Sequence, residues 1–131
     1  MTKILVTGSA GFMGSHLVDY LLALKNRVYG VDDLSGGYLE NVNPKSTFYK
    51  LDLRNSNKTI NLIKKLQPQL VYHLAADATV GRSQFTPVSA TERNYLTSLN
   101  VLIGCVKAGT KKIVITSSMS VYGGQKPPFS E

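Results

Sequence analysis

Gly8, Gly11 and Gly14 recur at three-residue spacing between an apolar run, Lys3 to Thr7, and a helical pattern that begins at Phe12. A loop of this kind, turning a strand into a helix, aims the free N–H groups of the first helical turn and the positive end of its dipole at one point. That point suits a phosphate. Gly8 makes the tight turn, Gly11 lets a pyrophosphate approach the backbone without meeting a Cβ, and Gly14 lets the helix sit close on the sheet. Ser9 and Ala10 keep the loop small and uncharged, and no Gly-Lys-Ser/Thr ending marks it as an ATP-type phosphate loop. About twenty residues on, the second apolar run ends in Asp32-Asp33. A carboxylate there can accept hydrogen bonds from the hydroxyls of an adenosine ribose and would repel a 2′-phosphate, which selects NAD over NADP; the plainer alternative is that Asp32 and Asp33 polarise a turn. Asp52 follows the third run, where it could contact an adenine or start a turn. His73 could be catalytic or packed at a strand end. Ala75-Ala76 leave room for something to lie flat, and the hydroxyls of Ser117, Ser118 and Ser120 follow the fifth run, placed to hydrogen-bond a substrate.

These residues need elements to hold them. Strands are expected at Lys3–Thr7, Val28–Val31, Thr47–Leu51, Gln69–Leu74 and Lys111–Thr116. The fourth is nearly all apolar, as in a parallel sheet covered on both faces. A first helix is expected from Phe12 to Lys25, with Leu17, Val18, Leu21 and Leu22 on one face and Lys25 and Arg27 near its C-terminal end. Ser56 reads as the N-cap of a short amphipathic helix that stops before Pro68. A long helix is expected from Pro87 to Ala108, with Leu96, Leu99, Val101, Leu102, Ile103 and Val106 as a broad apolar face and Gly109 as its stop. Asn94, early on that helix, faces either solvent or a site. The order β-α-β-β-α-β-α-β gives an α/β class, a doubly wound parallel sheet of the Rossmann kind with strand order 3-2-1-4-5.

The chain has 131 residues, enough for one domain with its own core. Its one cysteine, Cys105, lies in an apolar helical run, reads as a buried hydrophobe and fits the reducing cytoplasm. No metal set can be built from it. The opening apolar run is too short for a leader and no stretch approaches a membrane span, so no membrane partner is expected. The net charge of +7 raises nucleic acid as a partner. The basic residues are scattered, with adjacent pairs only at Lys64-Lys65 and Lys111-Lys112, and the aromatics do not interleave with them. A solvated basic surface that helps attract an anionic nucleotide is the expectation, with no nucleic-acid partner.

The motifs VTGSAGFMGSHL (6–17), VDDLSGG (31–37), LDLRN (51–55), HLAA (73–76) and TSSMSVYGG (116–124) together resemble the NAD-dependent nucleotide-sugar epimerase/dehydratase family. These are the extended short-chain dehydrogenase/reductases, of which UDP-glucose 4-epimerase is typical. The resemblance runs the length of the chain. It implies a pyrophosphate loop at Gly8, Gly11, Phe12, Met13 and Gly14, with Met13 where isoleucine is usual. It implies a ribose-binding acid at Asp32, an adenine contact at Asp52 and Leu53, a strand end beside the cofactor at Leu74, Ala75 and Ala76, and a structural asparagine near the site at Asn94. Ser118 falls on the catalytic Ser/Thr, and Tyr122 does not fall on the catalytic tyrosine. Thr97-Ser98 stand where the family more often has Gly-Thr.

The resemblance places the family's acid/base pair, a Tyr-x-x-x-Lys on the next helix, beyond Glu131, and a substrate domain beyond that. Residues 1–131 are then an incomplete NAD-binding domain, the N-terminal part of an enzyme that transiently oxidises a sugar carbon. Alone, the chain is expected to bind NAD without turnover and to leave a sheet edge bare, which invites self-association. The full-length protein is expected to take a nucleotide sugar and to be a homodimer; Arg82 and Ser83, in the loop after the fourth strand, either border the sugar or belong to a solvated loop. A stand-alone NAD-binding sensor or scaffold, and a basic nucleic-acid-binding domain, are the alternatives.

Overall fold

The computed structural model describes residues 1–130, the side chains of Val80, Arg82 and Met119 excepted. Its strands are β1 (Lys3–Thr7), β2 (Arg27–Asp32), β3 (Thr47–Lys50), β4 (Leu70–His73) and β5 (Lys112–Ile115). They form one sheet in the order β3-β2-β1-β4-β5, all parallel. β1 is central, with Leu5 opposite Tyr29 on one side and Val71 on the other. The expected doubly wound topology is therefore the one found.

Period-2 alternation along β1 divides the core between two faces. Leu5 points into one layer with Tyr29, Val31, Val71, Ile63, Leu66, Val101 and Cys105. Ile4 and Val6 point into the other, with Val28, Val18 and Leu21. Helices α2 (Ser56–Leu66) and α5 (Thr97–Ala108) cover the first face, and α1 (Phe12–Ala23) covers the second. Cys105 is buried as expected, and burial pushes its thiol pKa up.

Several local details differ from the sequence reading. Helix α1 stops at Ala23; Lys25 lies beyond it at φ 59°, and Arg27 opens β2, so neither cation sits in the last helical turn. The N-cap of α2 is Asn55, whose side chain accepts from the Lys58 N–H; the Ser56 hydroxyl instead donates to Asn100 Oδ1 at 2.8 Å. The expected long helix is three segments: α4 (Pro87–Thr91), a π turn (Glu92–Leu96) and α5. Before them, the loop after β4 holds a short helix α3 (Val80–Ser83). Pro87 does open α4, and Gly109 closes α5 in the left-handed region at φ 69°. The expected apolar face of α5 divides in two. Val101 and Cys105 enter the core, while Leu99, Leu102 and Val106 stay exposed, as do Val88 and Tyr95 of the preceding segments.

No helix among the described residues is long and apolar enough to cross a membrane. Among the described strands, β5 pairs on one side only, and its Val114 and Ile115 are partly exposed.

Candidate cofactor site

The loop between β1 and α1 is built from its glycines upward. Gly8 sits at φ 70°, and a Cβ there would meet the Ala75 backbone at 2.8 Å, so the turn and its approach to β4 both require glycine. A Cβ on Gly14 would overlap the carbonyl oxygen of Gly8. The close packing expected of Gly14 is therefore against the loop's own backbone rather than the sheet. Gly11 is less confined: its Cβ would meet only Gly8 O, at 3.3 Å, a tight contact that a small backbone shift would relieve. Gly11 also N-caps α1 with no side-chain cap and no acidic residue in the first turn. The N–H groups and dipole there keep their attraction for an anion.

Asp32 ties this loop to β2. Its Oδ2 accepts from the Ala10 N–H at 3.0 Å and its Oδ1 from the Leu34 N–H at 2.8 Å. The carboxylate thus polarises a turn and still has lone-pair directions left for a ribose hydroxyl. Asp33 Oδ1 accepts from the Ser35 N–H at 2.8 Å. Asp52 starts the next turn and is gripped by Arg54, whose Nη2 lies 2.7 Å from its Oδ2. The Arg54 guanidinium holds the Asp52 carboxyl below the usual carboxylate range.

These loops converge at the carboxyl ends of the strands on a crevice of about 340 Å³. Gly8, Gly11, Asp32 and Asp33 line one side of it. Asp52 and Leu53, expected from the resemblance to contact an adenine, line another part of it, and Leu74, Ala75 and Ala76 line the β4 end. Phe12, Met13, Gly14, Asn94 and Ser118 do not line it. Phe12 and Met13 point outward. Asn94 instead braces the β4 loop: its Oδ1 accepts from the Asp77 N–H at 2.7 Å and its Nδ2 donates to Asp77 O at 3.1 Å. Ser118 is exposed and its hydroxyl donates to Ser120 Oγ at 3.1 Å. Of the two residues that either border a sugar or belong to a solvated loop, the Arg82 side chain lies outside the described residues, and Ser83 does not line the crevice.

His73 is a packed histidine. Its Nδ1 lies 2.7 Å from Thr7 Oγ1 and its Nε2 lies 2.9 Å from Ser98 Oγ. Ser98 spends its proton on Asn94 O at 2.6 Å, so it accepts from Nε2–H, and Thr7 donates to Nδ1. The ring is therefore neutral, and burial lowers its pKa to about 4.

Sequence reasoning missed Arg93. It lines the crevice from the π turn and reaches the loop after β2. A lone arginine one residue before Asn94, on a helix otherwise rich in apolar and small side chains, was the available signal. A second omission is the spacing Tyr122 to Lys126, which does match Tyr-x-x-x-Lys within the chain. The structure does not put the two on one helix. Tyr122 ends a 3-10 turn, Gly123 follows at φ 61°, and the Tyr122 ring stacks on Phe129 at 5.0 Å.

A parallel sheet with a glycine loop, an acid at the end of β2 and a crevice at the strand ends defines the nucleotide-binding class of doubly wound α/β proteins. The comparison with known proteins narrows that class. The family described as NAD dependent epimerase/dehydratase matches residues 4–131, and the chain belongs to it. It is 40% identical over 127 residues to UDP-glucose 4-epimerase of Mycolicibacterium smegmatis, an alignment that covers 92% of this chain and 40% of that protein. It is 33% identical to UDP-N-acetyl-alpha-D-glucosaminuronate decarboxylase of Bacillus cytotoxicus, covering 98% of this chain and 39% of that one. The crystal structure of Thermus thermophilus UDP-glucose 4-epimerase in complex with NAD superposes with a TM-score of 0.92 at 37% identity, over 98% of this chain and 42% of that chain. The chain thus spans about 40% of the length of the relatives it matches.

Proposed function

We propose that this chain is the N-terminal, NAD-binding part of a nucleotide-sugar epimerase or dehydratase. The observation that carries the proposal is the crevice itself, bounded by an uncapped helix N-terminus, a buried aspartate and two alanines. The residues fit the cofactor. Gly11 carries no side chain to obstruct a pyrophosphate, and the first turn of α1, at Phe12, Met13 and Gly14, would hold it through backbone N–H groups. Asp32 would accept from the adenosine ribose, and Asp52 and Leu53 would border the adenine. Ala75 and Ala76 would let the dinucleotide lie flat past β4. Asn94 would act from behind, by fixing the Asp77 loop. When bound, NAD supplies a reversible hydride acceptor. Ser118 would hydrogen-bond the sugar hydroxyl, and the base would come from the Tyr-x-x-x-Lys helix that the family carries further along its chain. The 131-residue chain would then bind NAD without turning over sugar. The exposed apolar residues Val88, Tyr95, Leu99, Leu102 and Val106 support a homodimer of the whole protein.

Calorimetric titration of the natural polypeptide with NAD, beside its intact mass, tests the reading. We expect NAD to bind and the mass to exceed 14.3 kDa. No NAD binding would overturn it. A natural mass of 14.3 kDa with NAD bound would move the conclusion to a stand-alone sensor or scaffold.

A further inference from the structure

The π turn sends three consecutive side chains to three loops of the crevice. Glu92 reaches Arg54 at 3.6 Å, Arg93 reaches the loop after β2, and Asn94 reaches Asp77. Arg93 crosses from the helix that follows β4 to the end of β2, beside Asp32. Its Nη1 donates to Ser35 Oγ at 2.9 Å and stands 3.7 Å from Asp33 Oδ2. Its Nε is buried without a hydrogen-bond partner among the described residues. Arg54, the other guanidinium on the crevice among the described residues, is engaged by both oxygens of Asp52.

If the crevice takes NAD, as proposed above, the adenosine ribose lies at the end of β2. A guanidinium at that edge is the group that recruits a 2′-phosphate. Here it is present, oriented by Ser35 and held by Asp33. We propose that the Asp33–Arg93 pair is a specificity determinant: Asp33 masks Arg93 and keeps the site on NAD, and an unmasked Arg93 accepts the 2′-phosphate of NADP. Asp32 is the less separable control, because both of its oxygens hold backbone N–H groups and its loss would loosen the glycine loop. Asp33→Asn is cleaner. The amide keeps an oxygen for the Ser35 N–H and replaces the anionic oxygen that faces Arg93 with a neutral NH2, which cannot hold the guanidinium.

The test measures dissociation constants for NAD and NADP on the natural polypeptide that carries these residues. The variants are Asp33→Asn, Arg93→Gln and the double substitution, with Asp33→Ser as the second variant should Asp33→Asn misfold. Wild type is expected to prefer NAD. Asp33→Asn should raise the NADP-to-NAD affinity ratio by about tenfold, the size of one charge-assisted hydrogen bond. The double variant should lose that gain. A pair with only a structural role would weaken both cofactors in parallel and leave the ratio fixed, which overturns the inference. So would a gain that survives removal of Arg93. Failure of wild type to bind either cofactor overturns the reading of the crevice, and this inference with it.

Discussion

Gly11 and Gly14 stand three residues apart in one loop and are constrained by different things. Gly14 has no space for a methyl group, because the Gly8 carbonyl oxygen occupies it. Gly11 faces the crevice, and a methyl group there would meet only Gly8 O, at 3.3 Å, which a small shift relieves. Gly14→Ala should therefore destabilise the fold by about 2 kcal/mol or more, since backbone must shift to admit the methyl. Gly11→Ala should stay within about 1 kcal/mol of wild type and weaken NAD binding instead. Urea denaturation and NAD titration of both variants separate the two effects; equal losses of stability would contradict the division. The spacing made all three glycines visible in the sequence. Which one faces ligand and which one faces backbone depended on distances that spacing does not carry. The same holds for the acids: Asp32 serves a turn and lines the crevice at once, so alternatives that compete on paper coexist in space.

At the level of elements, α5 is fastened to the opposite loop by one polar side chain. Asn100 is buried; its Nδ2 donates to Leu53 O at 2.9 Å and to Arg54 O at 3.2 Å, and its Oδ1 accepts from Ser56. Asn100→Ala removes three hydrogen bonds from a buried position, while Leu53 O keeps the Thr59 hydroxyl at 3.1 Å and the exposed Ser56 turns to water, and should cost about 2 kcal/mol. Ser56→Ala, which removes only one of the donors, should cost less. Urea midpoints of the two variants give the order, and a reversed order would show that Asn100 is not the fastening. This contact also explains a miss. Asn55 and Ser56 are both good N-caps, and the choice falls to Asn55 because Asn100 takes the Ser56 hydroxyl. The π turn was equally hidden, since residues 87–108 read as one continuous helical stretch. Strand order was legible, because apolar runs, turn residues and the right-handed crossover rule leave few arrangements.

Across the whole molecule, His73 couples stability to pH. Its folded-state pKa of about 4 lies below the 6.5 of an unfolded chain, because the buried ring resists charge. Between those values the unfolded chain holds the proton and the folded chain does not. The contribution is thus fully present above pH 6.5 and drains away as the pH falls toward 4, by about 3 kcal/mol at most. Urea midpoints at several pH values, for wild type and His73→Gln, should show a flatter profile in the variant; parallel profiles would assign the acid sensitivity to other groups. The strand order β3-β2-β1-β4-β5 has a consequence for how the protein is made. As the chain leaves the ribosome, β2 can dock beside β1 and β3 beside β2. β4 then finds the other edge of β1 free, and β5 finds β4. Every strand arrives at an open border, and none has to wedge itself between neighbours already joined. The sheet can therefore be assembled in the order of synthesis, each nascent stage already a contiguous piece of the finished sheet.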